Sequence, residues 1–166
     1  MTNKEFFLKK IEEEEPIFEK VLKALPGDKL EFKPSEKART AGRIASQLAS
    51  QPFFIAAIAT SGKPDWGAYG AGNAQASPEA MIVEMKKNFA DMQKAVASVS
   101  DKEWEEGAAT LVYPGGKWET KKYDMAWGFL FDAIHHRGQL TTFLRAMGAK
   151  VPAVYGGSAD EQPPHP

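Results

Sequence analysis

Residues 132–147 read DAIHHRGQLTTFLRAM, and helical spacing through this stretch decides the architecture. Carried back about two further turns, the spacing puts Met125, Phe129, Asp132, His136, Leu140, Phe143 and Met147 on one face. An apolar stripe thus has a carboxylate and an imidazole set into its middle. Gln139, three residues after His136, points close to the same side. A polar group inside a buried stripe must be hydrogen-bonded, paired or coordinated, because leaving it unsatisfied costs roughly 1–3 kcal/mol, and more if it is charged. Something in the interior has to satisfy Asp132 and His136.

Working outward, 166 residues with 43 % hydrophobic content and four Trp are enough for one packed domain over residues 1–166. Formal net charge is −1, from 21 basic and 22 acidic residues with no one-sided arrangement, which argues against a nucleic-acid partner. There is no cysteine, so disulfides, thiolate metal ligands and a cysteine nucleophile are excluded together. No apolar run is long enough to span a membrane, and no basic leader precedes an apolar stretch, so a soluble cytoplasmic protein is expected.

Thr2 to Leu25 is amphipathic, with Phe7, Ile11, Phe18, Leu22 and Leu25 on one side and the Glu12–Glu15 run expected on a solvated face. Pro16 predicts a kink or two helices in sequence, since it cannot donate to the carbonyl of Glu12. Pro26-Gly27 ends this helix and residues 28–39 read as an irregular connection. Thr40 is the N-cap of a second helix reaching about Thr60, with Ile44, Leu48, Ile55 and Ile58 on its apolar side and Gln47 beside them. Pro52 either kinks it or marks where two shorter helices meet.

Residues 61–76 are rich in Gly and Ala and read as a crossover, in which Trp66 and Tyr69 either tie the loop down or cover the mouth of an interior site. Ser77-Pro78 opens a third helix with a repeat of Ile82, Met85, Phe89, Met92, Val96 and Val99. A short helical turn at SDKEW closes at Gly107, residues 109–118 form a small hairpin or an extended crossing, and a fourth long helix begins at Thr120 or Asp124 and ends at Gly148. The tail, 151–166, is rich in Pro and Gly and reads as irregular. The sum is an all-α four-helix bundle with long crossover connections.

Side chains four apart on a helix are about 5–6 Å apart at Cβ, close enough to bond each other or to hold one ion. Asp132 and His136 therefore either form a core hydrogen-bond pair, with Arg137 or Gln139 helping, or supply oxygen and nitrogen to a divalent transition metal such as Zn, Ni, Fe or Mn. His135 projects off this face and reads as a partly exposed histidine. No glycine-rich phosphate fingerprint, GxSxG or HExxH is present.

The run HHRGQL at 135–140, followed by TTFLRAMGAKVPAVYGGSAD at 141–160, resembles the C-terminal signature of the DinB/YfiT-like superfamily. In that family a histidine four residues before the histidine of HRGQ joins a third histidine from the second helix. The resemblance spans essentially the whole chain and implies a four-helix bundle, often homodimeric, around a three-ligand divalent metal site. Some relatives are thiol-dependent transferases or isomerases that use a low-molecular-weight thiol. Carried over by position, the metal residues are Gln47, Asp132 and His136, with QLA standing where the family usually shows HLA. Arg137 and Gln139 would support them, and Gly138 would permit a close helix contact. Only His136 matches the usual ligand, and a neutral amide oxygen at Gln47 binds borderline metals weakly. Two functions follow from the resemblance. One is a metal-dependent thiol S-transferase or hydrolase. The other is a non-enzymatic bundle with a degenerate site, acting as a small-molecule binding or interaction module.

Overall fold

Thr2 sets the start of the first helix: its side chain accepts from the Glu5 amide while the Glu5 carboxylate accepts from the Thr2 amide at 2.8 Å, a reciprocal cap. In this computed structural model, which describes residues 1–68 and 77–163, that helix is α1, Asn3–Lys23. It runs through Pro16 as one element, where sequence reading allowed two. Pro16 and Glu12 are both exposed, so the carbonyl that loses its partner faces water.

Thr40 caps α2, Ala41–Ser61, through a hydrogen bond from the Arg43 amide at 3.1 Å. This helix also passes its internal Pro52 unbroken. Gly62 ends it at φ +66°, where a Cβ would collide with the carbonyl oxygen of Ala108. Ser77 caps α3, Pro78–Ser98, with Pro78 in the first turn as its sequence requires. Next come the short α4, Asp101–Glu106, and two antiparallel strands, β1, Ala108–Tyr113, and β2, Gly116–Lys121. The hairpin is the form residues 109–118 take, with Leu111 opposite Trp118.

The last helix, α5, spans Lys122–Ala146, and Gly148 lies just beyond it at φ +75°. Lys122 is buried at its start and donates to the carbonyls of Ala59 and Thr60 at 3.0 and 3.1 Å, while its ammonium lies 2.6 Å from Glu103. One cation thus closes the C-terminus of α2 and joins it to α4 and α5.

The core fills the space between the four long helices. Phe7, Ile11, Val21, Leu22, Ile58, Met85, Met92, Val96, Trp104, Met125, Leu140 and Leu144 are completely buried. Each such large apolar side chain contributes about 1.5–3 kcal/mol by leaving water. The Met residues of α3 pack among these side chains as core. Among the described residues, no helix is long and apolar enough to cross a membrane.

The acidic run of α1 divides. Glu12 and Glu13 are exposed, but Glu14 is buried, accepting from Arg137 and from the Tyr155 hydroxyl at 2.6 Å. The expected solvated face fails there because position 14 falls on the same side as Phe7, Ile11 and Phe18. Arg137 is 1 % exposed, lies over the Phe18 ring at 4.6 Å and also donates to Tyr155 at 2.7 Å. Burial, and then the bond to Glu14, hold the Tyr155 hydroxyl above its ordinary pKa. This cluster fastens the irregular tail to α1 and α5, with the Lys20–Glu161 and Arg145–Asp160 pairs beside it. Tyr69 and His165 lie outside the described residues.

Candidate functional site

The stripe read from α5 is buried at Met125, Phe129, His136, Leu140, Phe143 and Met147. Asp132 differs: its side chain is 38 % exposed, against 10 % for His136. The stripe faces α2, whose Gln47 and Gln51 are 3 % and 1 % exposed and one helical turn apart. These four side chains meet where the two helices cross.

Asp132 Oδ2 accepts from Gln51 Nε2 at 3.1 Å and from Gln47 Nε2 at 3.4 Å, and its Oδ1 lies 3.5 Å from His136 Nε2. Gln51 Nε2 also donates to the main-chain carbonyl of Phe129 at 2.6 Å, which uses both of its protons. The buried Gln51 Oε1 has no hydrogen-bond partner among the described residues. His136 Nδ1 lies 2.7 Å from Gln139 Oε1. An amide oxygen only accepts, so Nδ1 is the donor in this bond, and Nε2 is the nitrogen on the side of Asp132.

A fifth side chain enters from the irregular connection before α2. Arg39 Nη1 donates to Gln47 Oε1. Its Nη2 is 3.2 Å from His136 Nδ1 and 3.1 Å from Nε2. An atom almost equidistant from both ring nitrogens at that range cannot lie in the ring plane without overlapping the carbon between them. Nη2 therefore lies over the imidazole face with an N–H directed at the ring, so the cation is held against it. No carboxylate of the described residues lies within ion-pair distance of Arg39.

The site residues expected from sequence thus separate. Gln47, Asp132, His136 and Gln139 come together; Arg137 does not, because it is committed to Glu14 and Tyr155. Gly138 serves no close helix contact, since a Cβ there would meet nothing within 4 Å. His135 is exposed. Arg39 and Gln51 were missed. Gln51 had a signal, its position one turn after Gln47, whereas Arg39 lies in a segment with no periodicity.

A divalent ion, which the family resemblance implies, would need the oxygen of Gln47, the carboxylate of Asp132 and the free nitrogen of His136. His136 is oriented as a ligand would be, with its other nitrogen fixed by Gln139. The other features do not fit. The Gln47 oxygen is turned to Arg39, and a permanent positive charge already lies against the imidazole. Among the described residues, no three His, Asp or Glu side chains gather into a ligand cluster.

A bundle whose second and last long helices close around an inward polar group is a recognisable class of all-α protein. The chain belongs to the DinB family, which it matches over residues 1–164. It is similar in fold to a DinB-like protein from Bacillus cereus ATCC 10987, with a TM-score of 0.73 and 21 % identity over 91 % of this chain and 97 % of that one. A DinB-like protein from Bacillus subtilis gives a TM-score of 0.65 at 15 % identity, over 86 % of this chain and 92 % of the other. No curated protein matches the chain.

Proposed function

We propose that this DinB-family bundle is a small-molecule binding module whose pocket, formed by Arg39, Gln47, Asp132 and His136, works without a resident metal ion. The observation that carries this reading is the Arg39 guanidinium, bonded to Gln47 Oε1 and laid over the His136 ring. A guanidinium cannot be deprotonated in a protein, so a metal ion at this site would always meet a positive charge.

The metal-dependent reading, a thiol S-transferase or hydrolase, is favoured by one feature, the Gln139 bond that leaves His136 Nε2 directed at Asp132. Elemental analysis of protein purified without a nickel column or chelator separates the two. Less than about a tenth of an equivalent of transition metal per chain supports the binding module. About one equivalent, lost in both Asp132→Ala and His136→Ala, overturns it in favour of the metal centre.

The homodimer implied by the resemblance is proposed to use the aromatic face of α1 and α5. Phe6 and Phe131 are 43 % and 61 % exposed there, and both rings pack on Trp127. Sedimentation of the wild type beside Phe131→Glu tests it, with a dimer that dissociates in the variant as the expected result.

A further inference from the structure

Arg39 is an exposed cation anchored by two buried side chains, and that combination defines what the pocket can recognise. We infer that Arg39 is the ligand-binding residue of this site and that its ligand carries a single carboxylate. The inference rests on the metal-free reading of the pocket.

The first argument is donor supply. Of five guanidinium N–H groups, one is used on Gln47 and one on Nη2 is directed at the His136 ring nitrogens. The other three have no partner among the described residues, and no carboxylate of those residues is within ion-pair distance. A guanidinium fork matches a carboxylate in two parallel hydrogen bonds.

The second argument is rigidity. An arginine on an irregular connection ordinarily loses side-chain freedom when it binds. Here Gln47, 3 % exposed, and His136, 8 % exposed, already hold the group, so that cost is met before the ligand arrives.

The third is charge. Asp132, which shares Gln47 and His136 with Arg39, puts a carboxylate in the same cluster as the guanidinium. Arg39 and Asp132 together sum to zero. A monoanion gains more from the cation it touches than it loses to the more distant carboxylate. A phosphate dianion doubles both of these terms, but its desolvation cost grows with the square of its charge and only one cation is present to offset it. The pocket therefore selects a carboxylate over a phosphate.

Titration of the wild-type protein with acetate, benzoate and inorganic phosphate, followed by amide and Arg side-chain NMR shifts, tests this. Metal content is measured on the same samples. Saturable shifts at Arg39 and Gln47 with the two carboxylates are expected, at lower concentration than with phosphate. Arg39→Gln should weaken carboxylate binding about 10- to 100-fold, the effect of losing charge-assisted hydrogen bonds, with Arg39→Lys intermediate. Circular dichroism confirms that each variant is folded, and Arg39 lies outside the core. Equal binding by wild type and Arg39→Gln, no saturable shift in the wild type, or tighter binding of phosphate overturns the inference while the metal-free reading stands. A full equivalent of metal in the wild type overturns that reading instead.

Discussion

Arg39 and Asp132 hold opposite ends of one amide: the guanidinium donates to Gln47 Oε1, and the carboxylate accepts from Gln47 Nε2 at 3.4 Å. A glutamine offers acceptor and donor in a single plane, so it can stand between a cation and an anion and satisfy both. A histidine there could offer its acceptor to Arg39 or to a metal, but not to both. Gln47, one of the two positions that depart from the family's three histidines, is thus suited to an arginine beside it.

This exchange should be reversible by design. Gln47→His alone is expected to take up zinc weakly, because Arg39 still occupies the imidazole face. Gln47→His with Arg39→Ala removes the competing cation and should bind about one zinc per chain. Titration calorimetry of the two variants beside the wild type measures the difference, and equal zinc affinity in both would show that Arg39 does not guard the site.

The Glu14–Arg137 pair makes a stability prediction. Arg137 is 1 % exposed, so Glu14→Ala leaves its charge buried with only Tyr155 to accept from it. The expected loss is about 3–5 kcal/mol, read from the urea midpoint. Tyr155→Phe removes two hydrogen bonds, to Glu14 and from Arg137, at an exposed residue and should cost about 1–3 kcal/mol.

Lys122→Met is expected to destabilise the bundle by about 1–3 kcal/mol, because the carbonyls of Ala59 and Thr60 lose the ammonium that satisfies them. Hydrogen exchange should locate the loss in the last turn of α2 and in β1, whose Thr110 amide is bonded to Gly62 at 2.7 Å. Uniform loss across all helices would mean that Lys122 acts only through global packing.

The tail should loosen in acid. Asp160 is held below its ordinary value of 3.8, first by the Val151 amide and then by Arg145, and Glu161 below 4.5 by Lys20 and the Ala153 amide. Carboxylates lowered by folding contribute stability that is present above their unfolded values and lost as pH falls through the folded ones. The Val151 and Ala153 amide shifts should therefore be constant above about pH 5 and move toward free-chain values below pH 4. Both carboxylates are in contact with solvent, their side chains 26 % and 40 % exposed, so salt should blunt the effect.

The caps at Thr40, Ser77 and Gly148 were legible because capping is short-range chemistry between residues a few positions apart. Periodicity likewise placed Gln47, Asp132 and His136 on inward faces. It could not say what each would meet. Glu14 and Arg137 are 123 positions apart, and each taken alone reads as an ordinary charge. Pro16 and Pro52 each remove one hydrogen bond, yet neither ends its helix, so the two-helix alternative fails at both. Arg39 escaped because an irregular connection has no pattern from which to infer a direction.

Gln51 gives the pocket a mechanical property. Its one amide nitrogen grips both the Asp132 carboxylate and the Phe129 main chain. Sliding α2 along α5 by even one residue would break both grips together. The pocket is consequently a gauge of helix register, and whatever pulls on Asp132 pulls on the alignment of the two helices that build it.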